Sequence, residues 1–503
     1  MNVYLAVVLV YLALLIGVAV RKSRQVKTKA DFMVAGRSVP TFLLVATLVC
    51  TWIGSGSLFG GAGLAFRMGV GDLWMSAGAW FGILAVMFLA ARVRRIADYS
   101  VPELLERRYD ATARLLGTLV VVVAYLTIAG YQFRGAGRLL NLVMPLDATL
   151  TEWTGLELPW AAMMSAVTIM CFTALAGMVS VVSIDVFNGT LMIVGVFVAL
   201  FLVVAQVGGW DEVVARLPAT HFEVFGGKGP GWAFGFFFPT FFLLLGESSM
   251  YQKFLSARSA QAARKAALGM VIGVVLIESA LAFLAIAGAA KYQGQAPFFD
   301  AAGAVIPAQT EEIILHLGRF DLPAAAGCLL LAAALAIIFS TGNTFLMVPA
   351  LNVGHDIYKR FLRPDASEQE VVRVQRILIF VLGTVAFVVA LFFKTILAMA
   401  YMAYTMVGAG LTPALLATFL WKRVTRQGAV ASIVAGMTTV VLVNVFRGRL
   451  AEHFHWMSES DYDIYPAIVA SLTCLIGVSL LTPPSPPEKW KPFMEAGRDE
   501  PRA

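Results

Sequence analysis

A serine and a threonine stand side by side inside an apolar run, Ala336-Ile337-Ile338-Phe339-Ser340-Thr341-Gly342-Asn343. Far upstream, small residues interrupt a second apolar run, Cys50-Thr51-Trp52-Ile53-Gly54-Ser55-Gly56-Ser57. Hydroxyls at membrane depth, beside a helix with enough glycine to unwind, cost free energy unless something uses them. A small, hard cation is the natural user. It takes oxygen ligands, and freed backbone carbonyls with two hydroxyls supply them without added charge. Read alone, Ser340-Thr341 also has a structural meaning, because both hydroxyls can bond back to carbonyls one turn earlier.

Other polar groups in apolar runs carry their own chemistry. Glu247 follows Pro239 in Gly246-Glu247-Ser248-Ser249, a second interrupted run. A carboxylate beside a break at membrane depth reads as a solute contact unless it is paired or protonated. Arg134, in Tyr131-Gln132-Phe133-Arg134-Gly135, can hold a solute carboxylate by two parallel hydrogen bonds. It can equally pair with Glu247 or reach outward to water. Glu278 sits centrally in its run and reads as protonated, paired or part of a proton path. Trp52 beside a carboxylate would suit a cationic amine. His453 and His455 near Asp461 and Asp463 read as a solvated loop, not a metal site. The four cysteines lie in apolar spans without a CxxC, so no disulfide framework is visible.

The elements that must position these groups are membrane helices. The chain has 503 residues, 59% of them hydrophobic and only 14% charged, where a soluble protein carries roughly 25% charged residues. Apolar stretches near helix-spanning length recur throughout and predict thirteen spans, the first at 3–20 and the last at 463–482. Positive charges follow the first span and do not precede it, which argues against a signal peptide and places the N-terminus outside. On that orientation 28 of the 38 Lys and Arg fall on the cytoplasmic side, and an odd number of spans puts the C-terminus inside. The basic pI of 9.2 is thus a topology signal and not a nucleic-acid footprint. Loops 208–231 and 291–322 are long enough for short lid helices, and the Pro-rich tail 483–503 reads as disordered. The breaks near Gly54 and Glu247 lie five spans apart, the pattern of inverted repeats around a midplane site. Gly56 and Gly60 also form a GxxxG, which would serve close packing.

The chain resembles the sodium:solute symporter family, which includes bacterial proline, sialic acid and sugar symporters. The resemblance rests on Asp31-Phe-Met-Val-Ala-Gly-Arg-Ser38, on Ala176-Gly-Met-Val-Ser-Val-Val-Ser-Ile-Asp185, on Gln252-Lys-Phe-Leu-Ser-Ala257, on Ser340-Thr341 and on Asp356-Ile-Tyr358, in that order. It implies an all-α membrane protein with a LeuT-type core of two inverted five-helix repeats at 39–420, preceded by span 1–20 and followed by two spans at 428–482, all one transporter domain. It implies a sodium ion between spans 2 and 9, held by the carbonyls of Cys50, Ile53 and Ile337 and the hydroxyls of Ser340 and Thr341. Cys50 and Ile337 depart from the common alanine, but only their carbonyls would bind. Asp185 falls at a position associated with ion exit at the mouth of span 6, with a helix N-cap beside Ser183 as its other reading. Solute is expected between spans 2, 3, 7 and 11, with Trp52, Ser57, Ser76, Arg134 and Glu247 as candidate contacts. Thr51-Trp52-Ile53-Gly54 also resembles the choline-transporting branch, whose other aromatics are not evident here.

The expected function is sodium-coupled uptake of a small polar organic solute across the plasma membrane, with no organic cofactor. A proton-coupled symporter on the same scaffold, or a sensor that has lost transport, are the alternatives. No catalytic set of residues appears, so an enzyme is not expected.

Overall fold

The computed structural model describes residues 3–23, 29–96, 99–454 and 462–495. His455 and Asp461 lie outside the described residues. Among those described, ten helices are long and apolar enough to cross a membrane and three shorter ones are apolar. Together they match the thirteen expected spans.

α1 is Val3–Ser23. α2 is Thr41–Trp52, resumed after a break by Gly56–Gly61 and Ala62–Met68. α3 is Leu73–Ile96 and α4 is Ala111–Val143. α5 and α6, Trp160–Leu175 and Val181–Val207, are two parts of one helical run that bends where Gly177 takes φ 60° and ψ 173°. α7 is Pro230–Gly246 resumed by Ser248–Ser256, α8 is Ala260–Lys291, and α9 is Ala324–Asn352. α10 is Glu368–Ala390, and α11 is Ile396–Gly410 continued by Thr412–Leu420. α12 is Arg426–His453 and α13 is Ile464–Leu481. Thirteen crossings leave the chain ends on opposite faces, called here the N-terminal and C-terminal faces.

Four helices that start on the C-terminal face begin on side-chain caps. Asp110 accepts from Ala113 N, Ser259 from Ala262 N, Ser367 from Glu370 N and Thr425 from Gly428 N. Each such cap is worth about 1 kcal/mol. Small residues then let helices touch. A methyl at Gly78 of α3 would meet the carbonyl of Phe237 on α7 at 2.3 Å, so no larger residue fits there.

Both breaks are real. Ile53 ends the first half of α2 with an extended backbone, φ −75° and ψ 110°. The helix then resumes with wide, π-type winding over Gly56–Gly61. Glu247 breaks α7 with φ −69° and ψ 101°. The two breaks face each other across a small void bordered by Thr51, Trp52, Glu247, Met250 and Phe345. The GxxxG pair has a packing role as well, since Gly56 and Gly60 lie against Tyr404 and Leu397 of α11.

Short helices occupy both long loops, Trp210–Arg216 in one and Pro307–Thr310 and Ile313–His316 in the other. The tail departs from its expected disorder. Pro487–Glu495 is helical, with Phe493 buried against Phe419 and Lys422 over the Trp490 ring. Prolines at the start of a helix cost nothing, because the first N–H groups have no partner within the helix.

Candidate functional site

Unwinding at Ile53 frees carbonyls that a continuous helix would have used. Two of them are taken by one side chain: Thr341 Oγ1 lies 3.1 Å from Cys50 O and 2.8 Å from Ile53 O. Gly54 makes this approach possible, since a methyl there would lie 2.7 Å from Thr341 Cγ2. Ile337 precedes Ser340 and Thr341 by one turn and is fully buried on the same face of α9. Three of the five residues expected around an ion, Cys50, Ile53 and Thr341, are therefore in contact, with Ser340 and Ile337 next to Thr341 on α9. The Thr341 hydroxyl reaches across to α2 and not to its own preceding turn.

Gln132 of α4 braces the break, and the sequence reading missed it. Its Oε1 accepts from both the N–H and the hydroxyl of Ser55, at 2.9 and 2.6 Å. A buried glutamine inside an otherwise apolar helix was the available signal.

Asp185 does not cap a helix. It is buried near the start of α6, where Ser340 donates to its Oδ1 at 2.6 Å and Thr47 of α2 donates to its Oδ2. A hydroxyl that donates to a carboxylate keeps lone pairs for a cation, so Ser340 can serve both. Lys253, from the resumed half of α7, is fully buried in the same region. Its Nζ donates to Thr47 O at 2.7 Å, to Thr47 Oγ1 at 2.8 Å and to Thr51 Oγ1, and lies 4.0 Å from Asp185 Oδ2.

The solute candidates divide. Glu247 is committed to its own break. Its carboxylate caps the resumed half of α7, accepting from Ser249 N at 3.1 Å, Ser249 Oγ at 2.7 Å and Met250 N at 2.6 Å, and it also accepts from the Tyr125 hydroxyl. Arg134 does not approach Glu247 or the break of α2. It donates to the carbonyls of Phe393 and Lys394, at 2.6 and 3.2 Å, just past the end of α10. That is where a helix presents unpaired carbonyls and partial negative charge.

Trp52, Ser57 and Ser76 do converge, but on Glu278 of α8. Trp52 Nε1 donates to Oε1 at 2.8 Å and Ser57 Oγ to the same oxygen at 3.3 Å. Trp80 Nε1 donates to Oε2 at 2.9 Å, and Ser76 lies beside the same carboxylate. The groups come from α2, α3 and α8, so their sequence separation hid the cluster. Trp52 also lies beside Tyr404, with ring centroids 6.1 Å apart. Among the described residues no group of three or more His, Cys, Asp or Glu could hold a metal ion. Asp463 pairs with Arg447 instead, with its carboxyl pushed up by burial to about 6 while Arg447 pulls it down.

Comparison with known proteins agrees with this architecture. The sodium/proline symporter of Escherichia coli (strain K12) is 24% identical over 497 residues, covering 94% of this chain and 92% of the relative. The high-affinity proline transporter of Bacillus subtilis (strain 168) is 25% identical over 479 residues, covering 90% and 92%. A substrate-bound, outward-open Na+-coupled sialic acid symporter superposes with a TM-score of 0.78 at 19% identity, covering 97% of this chain and 99% of the other. Mhp1, a nucleobase-cation-symport-1 family transporter in a closed conformation with bromovinylhydantoin bound, gives a TM-score of 0.57 at 12% identity, covering 92% and 97%. These are LeuT-fold proteins, and this chain shares their fold. The profile of the Sodium:solute symporter family matches residues 32–436, and this chain, a multi-pass, sodium-coupled secondary transporter, belongs to that family.

Proposed function

We propose that the coupling sodium ion is held between α2 and α9 by the carbonyl oxygens of Cys50, Ile53 and Ile337 and the hydroxyl oxygens of Ser340 and Thr341. Asp185 supplies negative charge just behind Ser340. One observation carries the reading: Thr341 Oγ1 sits 2.8 and 3.1 Å from two carbonyls that α2 releases by unwinding. Neutral oxygens with one nearby carboxylate suit a monovalent ion that must also leave.

The solute is a small organic molecule that binds beside the same break, against Trp52, Ser57 and Ser76. An ion held on the carbonyls of α2 fixes the break against α9, and this ordering couples the ion to the solute pocket. The Lys and Arg bias supports a C-terminal face in the cytoplasm, so transport is uptake. Asp185 lies on the ion's route to that face.

Sodium binding is read without knowing the solute, as the thermal stabilisation of purified protein by sodium over potassium. Ser340→Ala and Thr341→Ala are each expected to raise the half-saturating sodium concentration about tenfold or more, or ~1.4 kcal/mol. Unchanged sodium titrations in both variants would remove the ion from this site.

A further inference from the structure

Glu278 is a carboxylate without a cation. It is 5% exposed in the middle of α8, and among the described residues it forms no ion pair. Its oxygens instead receive two indole N–H groups and the Ser57 hydroxyl, with Ser76 close by. All of these groups are neutral. A second buried carboxylate, Asp72, lies close enough to oppose its charge, and Asp72 Oδ1 has no hydrogen-bond partner although the residue is 4% exposed. Asp72 sits just past the resumed half of α2, against Gly61. The nearby cation on Asp72's side, Arg67, also donates to Thr310 at 2.7 Å.

Charge at membrane depth is expensive unless it is paired or used. The two indoles hold the Glu278 carboxylate by its two oxygens and fix its plane. The 3.3 Å contact from Ser57 is the weakest of the set, and so the easiest to exchange for another donor. A serine released in this way turns a lone pair toward the incoming donor. Trp52, Trp80 and Tyr404 flank the position with aromatic surface, which favours a cation.

We infer that the transported solute carries a positively charged nitrogen, as a free amine, a quaternary ammonium or the cationic end of a zwitterion, and that Glu278 is its anchor. The inference rests on the reading that solute binds at the break of α2. Glu278 then does more than tie α2 and α3 to α8. It selects for charge, and a neutral sugar or a simple monocarboxylate leaves it unpaired.

The test is a stabilisation screen of purified full-length protein in sodium and in potassium. The probes are choline, glycine betaine, L-proline and L-ornithine, set against D-glucose, myo-inositol, pyruvate and lactate. At least one nitrogen cation is expected to stabilise the protein, and to do so more strongly in sodium. Glu278→Gln is expected to weaken that probe at least tenfold and to keep the shift produced by sodium alone. Should Glu278→Gln not fold, Trp80→Phe removes one support of the carboxylate, and the same probe should weaken severalfold in it.

Three outcomes overturn the inference. The first is stabilisation by neutral or anionic probes only, or by no cationic probe at 10 mM, a concentration far above usual transporter affinities of roughly micromolar to millimolar. The second is an unchanged cation affinity in Glu278→Gln, or in Trp80→Phe where that variant has to stand in. The third is loss of the sodium-only shift in Glu278→Gln, which would make Glu278 an ion ligand. Failure of the ion-site reading looks different, because it appears in the Ser340 and Thr341 variants with no solute present.

Discussion

Lys253 poses the sharpest question among single residues. Its ammonium is fully buried, bonded to oxygens of Thr47 and Thr51 and 4.0 Å from Asp185. Those oxygens belong to the half of α2 that also carries Cys50. On the proposed ion site, a tethered cation would share the negative field of Asp185 with the mobile one. Removing it as Lys253→Met leaves sodium as the main partner of that carboxylate. A unit charge about 4 Å away is worth roughly 4 kcal/mol at an effective dielectric near 20, and about 2 kcal/mol at twice that distance. Sodium should consequently bind at least tenfold more tightly in the variant, while solute uptake slows because the ion leaves less readily. Sodium titration of thermal stability and initial uptake rates read the two effects separately. Weaker sodium binding in Lys253→Met would mean that the lysine only ties α7 to α2.

At the level of elements, the two broken helices are built by different means. α2 unwinds because small residues allow it, and Gln132 then accepts the Ser55 N–H while Thr341 meets the carbonyls of Cys50 and Ile53. α7 unwinds because Glu247 supplies a cap within the membrane. The cap predicts a specific pattern. Glu247→Ala should lower stability by about 2 kcal/mol, at the upper end for a capping residue, since the buried Tyr125 hydroxyl also loses its acceptor. Glu247→Gln keeps an acceptor and should lose less. Apparent solute affinity should follow stability in both. A large rise in solute KM with unaltered melting temperature would instead return Glu247 to the solute pocket.

These two helices also show how far the sequence could be read. Hydropathy marked both, and glycines or a proline marked where each could open, because those signals are local. The proposed ion ligands rest on Ser340-Thr341 and the family pattern around them. Partners across helices were not. Nothing local in Glu247-Ser248-Ser249 distinguishes a carboxylate that turns onto its own backbone from one that faces a solute. Arg134 stayed open between a solute contact, a pair with Glu247 and an outward reach, because the carbonyls it binds lie more than 250 residues later in the chain. Glu278 was noticed as a buried charge, but its donors come from two other helices, and only the packing brings them together.

Across the whole molecule, each face is fastened by a charged cluster that gathers several helices. On the N-terminal face Glu311, 1% exposed in the loop before α9, accepts from Arg138 of α4 at 2.9 Å. It also accepts from Ile396 N and Leu397 N, at 3.1 and 3.0 Å, where α11 begins. A carboxylate suits a helix N-terminus, which offers unpaired N–H groups. Its backbone lies against Gly63 of α2, where a methyl would meet it at 3.0 Å. On the C-terminal face Arg114 of α4 holds Asp356 at 2.6 Å and also pairs with Glu106, which in turn binds Arg360 at 2.8 Å. Partial burial would raise the Glu106 carboxyl, but Arg360 and Arg114 outweigh it and hold it below its usual range. A lowered value means that the pairing is intact above the unfolded carboxylate pKa of about 4.3 and is lost only as pH falls further. The Glu106 pairs with Arg114 and Arg360 therefore persist between about pH 5 and 8, and proton uptake by Glu106 does not open the C-terminal face in that range. Alternating access requires one fastening to release while the other holds. Glu311→Ala should loosen the N-terminal face alone. With exposed Cys171 replaced by serine, a Ser57→Cys reporter should react severalfold faster with a membrane-impermeant thiol reagent applied to the N-terminal face once Glu311 is removed. Reporter labelling at an unchanged or slower rate would show that α2, α4 and α11 are kept together on that face by packing, with the carboxylate contributing little to closure.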